Sequence, residues 1–425
     1  MLKNKKIAVI GLGYVGLPLF VELSKQFETK GFDLSKKRIS QLKNSKDITN
    51  EVSSKELKKL KSRFTHLIND LIDQNIYIVT VPTPITINKE PDLVPLQNAC
   101  KSIGKFLKKD DLVIFESTVY PGLTEEFCVP ILEDISSLKL NKDFLVGYSP
   151  ERINPGDNSR KLTDIKKVTS GSNAKALKIV DSIYKSIIKA GTYPVKSIKI
   201  AEAAKVIENT QRDINIALIN ELSLLFKKLS IDTNEVIDAA ATKWNFLDFR
   251  PGLVGGHCIG VDPYYLTYKA KQVGFEPRMI LSGRQTNELI PDFISNCLLN
   301  DLKKKRIKFK DSRILILGLT FKEDCPDIRN SKVKDIFDYL NSKLSIVDVY
   351  DPHTEKNDLL ELYPKKSILT KMPTQKNYYD SILLAVPHKI FKKLGYSKIK
   401  DLGKKTVLIY DIKNIFPKNK VDFKL

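Results

Sequence analysis

The sequence predicts an α/β chain with two doubly wound parallel-sheet domains, joined by a long helix and an all-helical middle domain. Three observations predict it. Over the first half, short apolar runs alternate with helix-period stretches, the pattern of a parallel sheet wrapped by helices. The alternation stops where a long segment without internal Gly or Pro begins, Ile200–Leu229. It resumes after the basic tract Lys303–Lys310. The expected domains are therefore 1–195, 196–307 and 308–425.

The elements follow in order. Lys6–Ile10 is a short β-branched run, then a glycine cluster, then the apolar-periodic stretch Leu17–Phe27, which reads as strand, tight turn and helix. Thr29–Asp33 is a second strand ending in an acid, and Ser35 is an N-cap signal for a helix over Ser35–Asn44. Ile76–Val81, Leu112–Glu116 and Phe144–Tyr148 are buried strands that end in Pro82-Thr83-Pro84, Ser117-Thr118 and Ser149-Pro150. Ligands of such sheets sit beyond the carboxyl ends of the strands. In the middle, Ile207, Ile214, Leu218, Leu222 and Leu225 form a stripe with the helical period. Thr233–Ala241 and Pro263–Gln272 also read as helices, with the glycine-rich loop Gly252–Gly260 between them. Further on, Arg313–Leu319 begins a new strand run, followed by a helix over Lys332–Leu340 and strands at Ile346–Tyr350, Ser381–Val386 and Thr406–Tyr410.

Composition bounds the function. The chain has 425 residues, 42% of them hydrophobic, which excludes a disordered protein. No apolar run approaches the ~20 residues that span a bilayer, and a strand pattern begins too early for a signal peptide. Five cysteines without a CxxC pair are neither a disulfide framework nor a zinc site, and a reducing cytoplasm is the expected location. The four histidines show no ligand spacing, so no metal is expected. The net charge of +21 is carried mostly by dispersed lysine. Groove-reading and base-stacking surfaces need clustered arginine and aromatics, so no nucleic-acid partner is expected. A basic surface would attract an anionic substrate such as a sugar nucleotide.

The chemistry lies in three places. Gly11-x-Gly13-x-x-Gly16 sits between a strand and a helix, with Asp33 at the end of the next strand. The first glycine permits the turn, and the second lets backbone approach a pyrophosphate at the helix N-terminus. The acid binds a ribose and disfavours a 2′-phosphate, so the expected cofactor is NAD. Arg38, one helical turn on, would flank the adenosine. Lys205 and Asn209 share one face of the long helix and together suit an anionic oxygen, with Arg212 nearby. Finally, Cys258 lies in Gly255-Gly256-His257-Cys258-Ile259-Gly260-Val261-Asp262. Small neighbours let a ligand come close, a thiolate is a ready nucleophile, and Asp262 is a candidate base.

These pieces together resemble the UDP-glucose and UDP-N-acetylhexosamine 6-dehydrogenase family. The resemblance runs through GLGYVG at 11–16, VPTP at 81–84, ESTVYPG at 116–122 and SPERINPG at 149–156. It continues through Ala204-Lys205, Glu208-Asn209-Thr210, Asn220-Glu221, Phe249–Asp262 and GLTFKEDCPDIRNS at 318–331. It implies two Rossmann-like domains, NAD on the first and the UDP-sugar mainly on the second, and a homodimer formed partly by the long helix. It also implies residue roles. Cys258 would be the nucleophile, Lys205 and Asn209 the oxyanion stabilisers, and Asp262 an aid to proton transfer, while Glu151 and Thr118 would position water. Gly11, Gly13, Tyr14, Val15, Gly16, Asp33, Arg38, Thr83 and Thr118 would contact NAD, with Arg329 reaching it from the second domain. Glu151, Arg152, Ile153, Lys205, Asn209, Arg212, Gly255 and Lys322 would contact the nucleotide sugar, Arg250 the neighbouring subunit's site, and Lys413 the nucleotide.

The implied reaction is a four-electron oxidation of the C6 alcohol to the uronate through a cysteine thiohemiacetal and thioester. An enzyme that stops at the aldehyde needs no thiol; one that forms an acid needs covalent capture. Gly-Gly-His-Cys-Ile-Gly-Val-Asp-Pro-Tyr-Tyr resembles the N-acetylhexosamine branch, with UDP-GlcNAc as first expectation, then UDP-GalNAc and UDP-ManNAc, and UDP-glucose last. The product would feed a capsule, O-antigen or related surface polysaccharide. Two other classes are distinguishable. A β-hydroxyacid dehydrogenase would need neither the cysteine loop nor a second Rossmann-like domain. A non-catalytic sugar-nucleotide or nucleic-acid binder would need none of Cys258, Lys205, Asn209 and Asp262.

Overall fold

β-Branched and apolar residues at Lys6–Ile10 (β1) place that strand inside an eight-stranded sheet of the computed structural model, which describes residues 5–152 and 161–425. The other strands of this sheet are Glu28–Phe32 (β2), Phe64–Thr65 (β3), Ile76–Val79 (β4), Leu112–Phe115 (β5), Leu145–Tyr148 (β6), Lys167–Gly171 (β7) and Thr192–Pro194 (β8). Their order is β3-β2-β1-β4-β5-β6-β7-β8. β1 pairs in parallel with β2 on one side and β4 on the other, Ile10 lying between Phe32 and Val79. The chain therefore winds outward from β1 in both directions, and the loop after β1 lies at the point where the strand order reverses. Two strands depart from the expected parallel pattern, β7 and the β8 that pairs with it in parallel. β7 runs antiparallel to β6, with Tyr148 opposite Ser170. Short β3, β7 and β8 carried too few apolar residues to be read from sequence.

This sheet belongs to a compact unit made of Met1–Glu208 and Tyr264–Glu276. Ile7, Val9, Ile78 and Ile114 face Leu17, Phe20, Ile179 and Ile183 in its core. Each such side chain, once buried, contributes about 1.5–3 kcal/mol.

The second unit is Asn209–Pro263 with Pro277–Leu425. Its sheet holds Arg313–Leu317 (β9), Ile346–Tyr350 (β10), Tyr379–Leu384 (β11), Gly403–Asp411 (β12) and Phe423–Lys424 (β13), in the order β10-β9-β11-β12-β13. All its pairs are parallel. The sequence reading overlooked the helix Arg278–Lys304, which contains Gly283 and Pro291. Its Ile290, Ile294 and Leu298 join Ile314 and Ile316 in the core of this unit. A Cβ on Gly283 would lie 3.5 Å from Ala217, an ordinary contact, so packing does not demand a glycine at this point of the helix.

The long helix spans Ile198–Leu229, and the division between units falls within it. Its polarity is inverted relative to an ordinary surface helix. Glu202, Lys205, Asn209, Asp213 and Asn220 are buried, whereas Ile207 and Leu218 of the apolar stripe are 54% and 56% exposed. Each buried polar group has work. Glu202 accepts the N–H groups of Gly122 and Thr124 at 2.5 and 2.9 Å. Asp213 accepts from Arg284 at 2.6 Å and Asn287 at 2.8 Å. Asn220 exchanges two hydrogen bonds with the Gly252 backbone, at 2.8 and 3.1 Å, and so holds the start of the cysteine loop. Among the described residues, no helix is long and apolar enough to cross a membrane.

Candidate active site

The glycine loop after β1 is built by hydrogen bonds that leave one face open. Gly11 has φ +97° and donates to Phe32 O at 2.8 Å. Leu12 N–H donates to Asp33 Oδ2 at 2.9 Å, and Ser35 N–H to Asp33 Oδ1 at 2.9 Å. Each oxygen keeps acceptor capacity for a ribose hydroxyl. A Cβ on Gly16 would lie 1.8 Å from Gly11 O and 2.4 Å from Thr80 Oγ1, so packing alone demands this glycine. A Cβ on Gly13 would meet nothing within 4 Å. Protein packing does not explain Gly13; close approach of a ligand does. The helix Gly16–Leu23 starts at Val15 without a side-chain cap, with Leu17 N–H turned back to Gly13 O at 3.2 Å and Pro18 carrying no N–H, so the dipole of the helix end faces the glycine loop. These features fit the pyrophosphate and ribose of a dinucleotide.

Arg38 is not a surface residue. It is buried, its Nε donates to Leu12 O at 2.9 Å, and its guanidinium pairs with Asp47 at 2.9 Å. It braces the glycine loop from behind. Tyr14, Thr83 and Thr118 are half-buried at the ends of this unit's strands.

The same unit contains the carboxylate at the end of β6. Glu151 is buried and accepts from Lys167 Nζ at 2.6 Å. Arg152 pairs with Glu208 of the long helix. Lys205 is buried one turn before Glu208. Ile153 lies outside the described residues.

In the second unit, the cysteine loop precedes the helix Asp262–Gln272. The Cys258 carbonyl accepts the N–H groups of Val261 and Asp262, at 3.2 and 2.9 Å. Asn209 Nδ2 donates to Asp262 Oδ2 at 2.6 Å, both side chains buried, so two expected catalytic residues meet directly. Cys258 itself is half-buried. Gly255 packs against the 318–331 segment, where a Cβ would lie 2.4 Å from Asn330 O. His257 Nε2 is 3.4 Å from Asp327 Oδ2, and Asp327 also binds the Arg329 guanidinium at 2.6 Å. Burial would raise Asp327, but His257 and Arg329 more than reverse it and hold the carboxyl far below the usual range. Lys322 is half-buried and Arg212 exposed. The Lys413 ammonium lies 2.2 Å from where a Cβ on Gly252 would stand. Arg250 pairs with Asp238 at 2.7 Å and Asp248 at 2.6 Å within its own chain.

The second unit repeats the turn of the first. Gly318, with φ +89°, donates to Tyr350 O at 2.9 Å, and Leu319 N–H donates to Asp351 Oδ2 at 2.6 Å. Here, however, His388 Nε2 is 3.0 Å from that same carboxylate oxygen, and both side chains are fully buried. Residues far apart in sequence, Asp324, His353 and His388, form a cluster in this region. The Asp324 backbone N–H donates to His388 Nδ1 at 2.9 Å, so that ring nitrogen already serves the fold.

Residues 5–188 match the NAD-binding domain of the UDP-glucose/GDP-mannose dehydrogenase family, residues 199–289 its central domain, and residues 315–418 its UDP-binding domain. The chain belongs to this family. This dehydrogenase is 52% identical over 426 residues to the UDP-N-acetyl-D-glucosamine 6-dehydrogenase of Pseudomonas aeruginosa, covering 100% of both chains. It is 50% identical to the protein of the same name from Salmonella typhi, covering 99% of this chain and 98% of that one. In structure it resembles a UDP-D-ManNAc dehydrogenase from Pyrococcus horikoshii, with TM-score 0.87, 30% identity, and 99% and 98% of the two chains covered. The dehydrogenase uses NAD, and its glycine loop and Asp33 lie in the family's NAD-binding segment. Sequence reasoning missed Glu116, Lys167, Glu202 and Asn220, which hold site segments from behind. Glu202 could have been found, because it lies one helical turn before Lys205.

Proposed function

We propose that this dehydrogenase oxidises the C6 alcohol of UDP-N-acetylglucosamine to the uronate, through a covalent intermediate on Cys258. The observation that carries the reading is the full-length similarity to two relatives named for that substrate, at 52% and 50% identity. The cysteine loop supports the mechanism. Bound NAD would supply the hydride acceptor for both oxidations. Gly13 and the uncapped helix end would seat the pyrophosphate, and Asp33 the ribose. Cys258 Sγ adds to the aldehyde carbon to form a thiohemiacetal, and after the second oxidation carries the acyl group as a thioester. Lys205 and Asn209 donate to the oxyanion. Asp262, fixed by Asn209, moves the proton of the adding thiol. Glu151 and Thr118 position the hydrolytic water. Arg152, Arg212, Gly255 and Lys322 hold the nucleotide sugar, as does Lys413, and Arg329 reaches the dinucleotide.

With limiting UDP-GlcNAc, two NADH per sugar are expected, against little or none from UDP-GalNAc, UDP-ManNAc and UDP-glucose. One NADH per sugar would refute the acid-forming route. Turnover of a different sugar would correct the substrate alone.

We further propose a homodimer, with division of labour among segments 1–195, 196–307 and 308–425, and a product destined for a surface polysaccharide such as a capsule or O-antigen. The apolar stripe on the long helix supports the dimer. Ile207, Leu218 and Leu225 are spaced for one helix face and about half exposed, at 54%, 56% and 48%. Leu218→Asp combined with Leu225→Asp is expected to convert a dimer to monomers in sedimentation equilibrium. A wild-type monomer, or a double variant that stays dimeric, would refute the assignment.

A further inference from the structure

The first sheet has one reversed pairing, and its position is informative. β5 and β6 release Glu116 and Glu151 just past their carboxyl ends. Because β7 runs antiparallel to β6, it begins at that same edge, and its first residue is Lys167. The Lys167 ammonium lies 2.7 Å from Glu116 Oε2 and 2.6 Å from Glu151 Oε2. All three side chains are at most 4% exposed. Glu116 Oε1 accepts from the Tyr184 hydroxyl, and Lys167 lies 5.2 Å from the centre of that ring. Glu151 Oε1 accepts the Arg152 N–H, and the Arg152 guanidinium pairs with Glu208. Among the described residues, the cluster about Glu151 includes Glu116, Lys167 and Tyr184, and Arg152 with Glu208.

Stability alone does not account for this triad. Well-packed apolar residues of similar volume are often as stable as buried ions, or more so. Two carboxylates on one ammonium also leave a negative charge in excess, away from water. Burial pushes the Glu116 carboxyl up, with Lys167 pulling against it. Burial pushes Lys167 down, but the two carboxylates outweigh it and keep the ammonium charged. The cluster thus has a permanent cation and, in Glu116, a carboxyl that takes up a proton readily.

We infer that Lys167 and Glu116 are positioning residues that hold Glu151 to accept the proton of the water hydrolysing the Cys258 thioester. This rests on the two-step reading proposed above. In the step, the water oxygen bonds to the thioester carbonyl carbon and one water proton passes to Glu151. The C–S bond breaks with its electron pair remaining on Cys258 Sγ. The second water proton stays on the product acid until that acid ionises. Lys167, held at its other side by Glu116, fixes the orientation of the accepting carboxylate.

The test compares wild type with Lys167→Met, Lys167→Arg and Glu116→Gln. It reads the NADH burst per site, the mass of the acyl-enzyme, and the pH profile of uronate release. Lys167→Met is expected to give the full two-NADH burst, accumulate acyl-enzyme, and release uronate about 100-fold more slowly. Its acidic limb moves to higher pH, because the cation that holds the buried carboxyl cluster down is gone. Lys167→Arg restores most of the rate. Glu116→Gln removes one of the two carboxylates that share Lys167, so its limb moves to lower pH. A merely structural role would not shift the two limbs in opposite directions. Wild-type release and profile in Lys167→Met, or equal shifts in both variants, would overturn the inference. Should Lys167→Met not fold, an unshifted limb in Glu116→Gln does so by itself. Absence of acyl-enzyme and a single NADH in the wild type would instead overturn the thioester reading, and this inference with it.

Discussion

Cys258→Ser is expected to abolish uronate formation, lowering the steady rate on the order of 10⁴-fold or more, as loss of a covalent nucleophile does. A serine hydroxyl is a weak nucleophile at neutral pH, and the loop offers it no adjacent imidazole held as a base. The His257 ring is directed instead to Asp327, at 3.4 Å. The variant should therefore stop at the first oxidation or at a trapped adduct, giving at most one NADH per sugar in a single turnover. Its fold should be unchanged, because Cys258 is half-buried and its backbone carbonyl, which caps the following helix, is retained. Mass spectrometry of the quenched enzyme checks the point. Wild type should carry an acyl group on Cys258, and full uronate turnover by the serine variant would defeat the nucleophile assignment.

The second large effect separates two glycines of one loop. Gly16→Ala places a carbon 1.8 Å from the Gly11 carbonyl and 2.4 Å from Thr80 Oγ1. Backbone must move, at a cost of about 1–3 kcal/mol or more, so the thermal midpoint should fall by about 5 °C or more. Gly13→Val points its side chain into open space. Its stability should stay within about 0.5 kcal/mol of wild type, while NAD binding weakens at least about tenfold, or about 1.4 kcal/mol. Calorimetry of unfolding and NAD titration of both variants decide this. Undiminished NAD affinity in Gly13→Val would remove the dinucleotide from this turn.

The fold was legible where local pattern and environment agree. β1, β9 and β10 were readable because a strand buried on both faces is an unbroken apolar run. Arg278–Lys304 was not, because Gly283 and Pro291 are local breakers. Both are tolerated within a long helix whose apolar face is buried in the core of the second unit. Reversed β7 was illegible for another reason. Strand direction is set by partners, and Lys167 in a short polar strand shows no sign of the two carboxylates it will meet. The candidate site divides likewise. Gly13, Asp33 and Cys258 could be named from sequence because each residue type has its chemistry written into a short motif. Glu116 and Lys167 act through residues distant in sequence, so only the fold shows them, whereas Glu202 was within reach as the residue one helical turn before Lys205. The apolar stripe of the long helix was visible as a period, but not which way it faced.

The doubled strand–glycine–strand–acid turn has a bearing on ligand count. Both copies direct a backbone N–H from the residue after the glycine to the carboxylate that closes the second strand. In the first copy that carboxylate is only half-buried; in the second, His388 occupies it and seals it from solvent. A ribose diol can therefore reach the acid of one turn and not of the other. The architecture is duplicated, but an acid open to a ribose is not: the second copy of the turn has spent its carboxylate on a histidine.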